Sequence, residues 1–174
     1  MLTFSCYSYV KSIALNIQFL KYSIPYYLSV RWCFCMITAL DVEANRLIEK
    51  AAQELKSMNI EKPGFVGYVK TGPSAERPPE SADFWYVRCA SLLRQAYVRG
   101  TIGVNRMRTH YGGKKNRGVR PHIHVKSGGK TIRSALQSLE KAGLLTKLKA
   151  GRALSPKGRK FMDALAKTVA TGAN

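Results

Sequence analysis

The chemistry on offer in this sequence is carried by long cations set among glycines. Gly112-Gly113-Lys114-Lys115-Asn116-Arg117-Gly118-Val119-Arg120-Pro121 places Lys114, Lys115, Arg117 and Arg120 on a backbone with few steric restraints. Asn116 and the glycine amides add neutral donors. Such a segment suits an irregular path of phosphates and is expected to order itself on binding. Competing chemistries fare worse. Gly129-Lys130-Thr131 evokes a phosphate-binding P-loop, but position 124, where that motif needs its first glycine, is His124, and no apolar strand precedes it. His110, His122 and His124 have no Cys, Asp or Glu nearby in sequence to complete a metal site. They are expected to be histidines of a loop, and neither a metal nor another cofactor is expected.

Acid–base or nucleophilic catalysis needs a carboxylate or a nucleophile beside a base. From Phe84 onward the only acids are Glu140 and Asp163, each inside an expected helix and outside any catalytic pattern. The chain is therefore expected not to be an enzyme and to take no small-molecule substrate. Cys6, Cys33, Cys35 and Cys89 match no paired zinc clip. Nothing marks the chain as secreted, so reduced cytosolic thiols are expected.

Charge decides between the remaining classes. The 174 residues carry 29 Lys and Arg against 10 Asp and Glu, a formal charge of +19. Met36 to Asp83 holds 8 acids and 6 bases, whereas Phe84 to Asn174 holds 20 bases and 2 acids. No acid lies between Asp83 and Glu140. A solvated surface mixes both signs, so a stretch without acids marks a face turned towards a polyanion.

The elements that must position these cations begin after Met36. Residues 1–35 differ from the rest, being rich in Tyr, Phe, Ile, Leu and Ser and free of acids. Lys11, Lys21 and Arg31 break them into runs shorter than the ~20 apolar residues of a membrane span. They are read as an extension outside the fold, with Met36 as the true initiator. Asp41 is expected to cap a first helix with Leu47, Ile48, Ala51, Ala52, Leu55 and Met58 at helical spacing. Asp83-Phe84-Trp85-Tyr86 opens a second, running to about Val98, whose aromatics anchor a core, although Trp85 could also stack on a base. Trp85, Cys89, Leu92, Leu93, Ala96 and Tyr97 share its apolar face, with Arg88 and Arg94 off that stripe. A short helix follows over Val104 to about Tyr111, then the glycine-rich loop to Gly129, then a helix over Lys130 to Ala142. Leu144–Lys149 and Arg152–Leu154 read as two short strands. Ser155-Pro156 starts a last helix with Phe161, Leu165 and Val169 on its buried side. The order of helix, short helix, longer helix, hairpin and helix points to a mostly α, winged-helix-like domain with a β-hairpin wing over residues 36–170, followed by a tail, 171–174.

At these motifs the chain resembles small-subunit ribosomal protein family nineteen (the S-nineteen-e family) of archaea and eukaryotes, in a version similar to the archaeal one. The resemblance covers about Met36 to Ala166. It rests on Val69-Lys70-Thr71-Gly72, Glu76-Arg77-Pro78-Pro79, Asp83-Phe84-Trp85-Tyr86-Val87-Arg88-Cys89-Ala90-Ser91 and the Tyr111 to Pro121 run. Arg133 to Glu140 and Gly151 to Gly158 complete it. Departures are Phe84 where the family usually has Trp, Cys89 where a small non-thiol residue is usual, and the atypical stretch His122 to Lys130. The resemblance implies a winged-helix-like fold on the head of the small subunit, with a part in its maturation. It also implies that Arg88, Arg94 and Arg133 act with Lys114, Lys115, Arg117 and Arg120; Lys130 completes the expected RNA-binding set. The expected role is a structural constituent that binds small-subunit rRNA beside neighbouring ribosomal proteins, cytoplasmic and ribosome-associated, with no membrane partner. The alternative is a winged-helix DNA-binding transcription regulator placing Lys130–Ala142 in a major groove. A weaker third reading is a membrane-surface protein using residues 1–35.

Overall fold

The computed structural model describes residues 37–172; the extension expected over 1–35, with Met36 as initiator, lies outside the described residues, as do the last two positions of the tail. Among the described residues, five helices hold the fold: α1 (Ala44–Ser57), α2 (Phe84–Arg99), α3 (Val104–His110), α4 (Gly129–Lys141) and α5 (Pro156–Ala170). Strands β1 (Thr101–Ile102), β4 (Leu145–Leu148) and β5 (Gly151–Leu154) form one antiparallel sheet in the order β1-β5-β4. Strands β2 (Gly113–Lys115) and β3 (Ile123–Val125) form a separate hairpin. The described part is thus mostly helical, with a few short antiparallel strands.

Helical periodicity fixes the core. Leu47, Ala51, Ala52 and Leu55 of α1 turn inward, as do Ile132, Ala135, Leu136 and Leu139 of α4. Helix α2 is central and touches α1, α4, α5, β1 and β5. Its inward residues Trp85, Cys89, Ala90, Leu92, Leu93 and Ala96 join the helical layers into one cluster. Trp85 is wholly buried, so it belongs to the core and is not a base-stacking platform. Each fully buried Leu or Ile contributes roughly 1.5–3 kcal/mol relative to exposure, and the largest buried side chains come from all five helices, from Ile102 of β1 and from Leu144 just before β4.

Several expectations need correction. Asp41 does not cap α1. Its carboxylate accepts the Thr38 backbone N–H and hydroxyl, both at 2.8 Å, and closes a turn before the helix, leaving Glu43 at the N-cap position. Met58 is the C-cap residue and half exposed. In α5, Ser155 and Pro156 stand at the expected positions, but the buried residues are Gly158, Met162, Leu165 and Ala166, with Phe161 and Val169 only partly covered. Ser155 makes no side-chain cap bond; its backbone N–H donates to Leu144 O at 3.0 Å instead, tying α5 to the start of the sheet. The sheet also has a strand that sequence periodicity does not announce. Two residues after α2, Thr101 and Ile102, pair with Ala153 and Arg152.

Candidate nucleic-acid interface

The glycine-rich segment is a built hairpin and not an unstructured loop. Gly113 pairs with Val125, Lys114 with His124 and Lys115 with Ile123. Its glycines serve close packing as much as freedom. A Cβ on Gly112 would lie 2.5 Å from Val125 O and 2.8 Å from the His124 ring. Only Gly118, at φ 68°, uses the left-handed region, and there its N–H donates to Asn116 Oδ1 at 3.0 Å to shape the tip. The base is clamped from both sides. Ser127 N–H donates to Arg108 O at 2.9 Å, and Arg108 Nε donates to Ser127 O at 3.0 Å. The Ser127 hydroxyl and the Gly128 N–H both donate to Thr71 O, at 2.9 and 2.8 Å. The hairpin thus leaves α3 and enters α4 through a hydrogen-bonded knot, with the Thr71-Gly72 loop as third partner.

The knot holds Lys114, Lys115, Arg117 and Arg120 out in solvent, all exposed, with Val119 at the tip fully so. The other expected cations have mixed surroundings. The Arg88 guanidinium lies 4.1 Å from the Tyr111 ring centroid and 5.1 Å from that of Phe84, and burial lowers its pKa from the ordinary arginine value. Tyr111 in turn shares a 2.7 Å hydrogen bond with the Ser91 hydroxyl. Arg88 therefore links α2 to the residue before Gly112, where the hairpin begins. Lys130 is exposed but has its Nζ 4.7 Å from the Phe65 ring centroid. Arg94 is half-buried, and its Nε is enclosed without a hydrogen-bond partner. Arg133 is exposed on α4. Among the described residues, no hydrogen bond or ion pair joins Arg94 or Arg133 to the hairpin.

The two acids of the basic half are occupied internally. Glu140 forms an ion pair with Arg152 across α4 and β5. Asp163 accepts the Tyr97 hydroxyl at 2.8 Å and the Ala39 N–H at 3.3 Å. Lys141 is paired with Glu61 at 3.2 Å, outside the basic half. None of Lys114, Lys115, Arg117, Arg120 and Arg133 has an ion-pair partner among the described residues. The cationic field of the hairpin is thus not cancelled by the protein's own carboxylates. Sequence reasoning also passed over Arg99, Arg106 and Lys126. They lie in the acid-free stretch, but their meeting depends on how α2, α3 and β3 pack. Among the described residues no group of three or more His, Cys, Asp or Glu is placed to hold a metal ion, and no helix is long and apolar enough to cross a membrane.

Comparison with known proteins finds related sequences. The sequence model of ribosomal protein S19e matches residues 38–172. The small ribosomal subunit protein eS19 of Aeropyrum pernix is 44% identical over 138 residues, 77% of this chain and 90% of that protein. The eS19 of Emericella nidulans is 44% identical over 135 residues, 76% of this chain and 91% of that protein. That of Thermoplasma volcanium is 40% identical over 136 residues, 77% of this chain and 90% of that protein. The match runs through the helical core, the hairpin and the sheet alike, and on that ground the chain belongs to the ribosomal protein S19e family.

Proposed function

We propose that this chain is a structural constituent of the small ribosomal subunit. It binds small-subunit rRNA beside neighbouring ribosomal proteins and contributes to subunit assembly and translation as a cytoplasmic, ribosome-associated protein without catalytic activity. The observation that carries the reading is the unopposed cationic hairpin: four exposed Lys and Arg on a clamped scaffold whose nearest acids in sequence, Asp83 and Glu140, are already engaged by Lys56 and Arg152. Self-repulsion of that kind is relieved by a polyanion. The RNA-facing set is Arg88, Arg94, Lys114, Lys115, Arg117, Arg120, Lys130 and Arg133, with phosphate contacts outweighing base readout.

The domain carrying this role runs over residues 36–170 as one winged-helix-like unit. The succession α2, α3, α4 followed by β4 and β5, with β1 pairing onto β5, supports that description. The β2–β3 hairpin is then an insertion where a compact DNA-binding domain would have a short turn. The three relatives described above are named as small ribosomal subunit proteins, so the transcription-regulator alternative is not favoured.

Replacing Arg117 and Arg120 together by Glu tests the reading. Both side chains are exposed at the hairpin tip. The variant is expected to melt like the parent yet to leave the small-subunit fraction of a sucrose gradient at moderate salt. Unchanged co-sedimentation would overturn the assignment of the hairpin to rRNA.

A further inference from the structure

A concavity on this molecule gathers cations that the hairpin does not include. Arg99 at the end of α2, Asn105, Arg106, Thr109 and His110 of α3, and Lys126 just past β3 line one open cleft of about 530 Å³. Three different elements thus bring three cations to one depression without a carboxylate on its wall. None of the three takes part in an ion pair among the described residues. Lys126 is held there by the mutual bonds of Ser127 and Arg108, which fix the chain immediately after it.

We infer that this cleft is a phosphate-binding site that takes a phosphodiester of the RNA backbone, gripped by Arg99, Arg106 and Lys126. The arrangement is suited to an anion in detail. A guanidinium only donates, so the 3.3 Å approach of Arg99 to His110 Nδ1 requires His110 to accept. The imidazole is therefore neutral and orients Arg99 without cancelling its charge. Burial and the nearby Arg99 and Arg88 charges lower the pKa of His110, consistent with that state. The Asn105 side-chain amide supplies neutral donors. Three cations crowded without a counter-ion repel one another, and a phosphate between them reverses the sign of that energy. The site rests on the proposed rRNA-binding role and extends it to residues outside the hairpin.

The test compares the full-length protein with a triple variant, Arg99→Gln, Arg106→Gln and Lys126→Gln, and with a hairpin variant, Arg117→Gln and Arg120→Gln. Each is bound to a small-subunit rRNA transcript over a range of salt. Each phosphate that the protein no longer neutralises should flatten the log Kd against log salt slope by roughly 0.7–0.9, so the triple variant, which loses one phosphate, is expected to fall by about that amount below the parent slope. All three side chains are exposed, and thermal melting should be unaltered. A parent-like slope in the triple variant, with a flattened slope in the hairpin variant, would overturn this site and leave the rRNA-binding role intact. Parent-like slopes in both variants would remove the charge-driven role itself. A second arm titrates inorganic phosphate at constant ionic strength and reads the backbone amides of Asn105 to His110 by NMR. Tight, saturable shifts there, together with an unaltered RNA slope, would assign the cleft to a free anion and overturn the RNA-backbone assignment.

Discussion

At the scale of single residues, Arg88 shows how one side chain serves both packing and charge. Its guanidinium stands against the Tyr111 and Phe84 rings, so its plane is part of the fold while its charge remains at the edge of the cationic region. Arg88→Lys keeps the charge but loses the planar stack. It is expected to cost about 1 kcal/mol, lowering the melting temperature by a few degrees in a thermal scan. An unchanged melt would show that the stack contributes nothing. Cys89, one position on, faces the core, and burial pushes its thiol up to about 12 from an ordinary 9.0. At pH 8 its thiolate fraction should fall by about a thousandfold, so alkylation of the Cys89 peptide should wait for unfolding. Rapid labelling of Cys89 in the native protein would contradict its placement. The sequence made the neutral, core-facing thiol legible through helical spacing. It did not reveal the ring stack on Arg88, because Phe84 and Tyr111 belong to different helices' ends and meet only after folding.

The elements differ in how plainly the sequence announced them. Helices α2 and α4 were readable nearly to the residue, since their buried positions recur at helical spacing and glycines close their ends. The β4–β5 hairpin was readable from the glycine between its two apolar runs, although Gly151 pairs with Leu148 inside β5 and the turn itself is Lys149-Ala150. Strands β1, β2 and β3 were not. They hold two or three residues each, too few for an alternating pattern to register, and their pairing depends on distant partners. The glycines of the cationic segment pointed to freedom, whereas Gly112 is there because the opposing backbone at Val125 leaves no room for a side chain. Gly112→Ala should therefore loosen the hairpin by roughly 1–3 kcal/mol, the usual cost of overpacking. In hydrogen exchange, the amides of 113–115 and 123–125 should lose protection while α2 and α4 keep theirs. Equal protection in parent and variant would mean that the close approach is not a constraint.

For the molecule as a whole, the two halves of the sequence have different electrostatic tasks. Met36 to Asp83 supplies nearly all the acids, and Phe84 onward supplies most of the cations. That division was legible from charge counting alone. The sequence could not show that Glu140 and Asp163, the only acids of the basic half, would be used up by Arg152, Tyr97 and Ala39. Nor could it show that Arg99, Arg106 and Lys126 would meet in one cleft, since their convergence is a product of packing. The fold thus turns a compositional bias into an oriented cationic surface. Its place against RNA can be read directly by ultraviolet crosslinking of the protein within purified small subunits, followed by mass spectrometry of the crosslinked peptides. Crosslinks to rRNA are expected to concentrate in the peptides spanning residues 112–126 and 130–133. Crosslinks confined to α1 and the acid-bearing segment before Phe84, with none from the hairpin, would contradict the account.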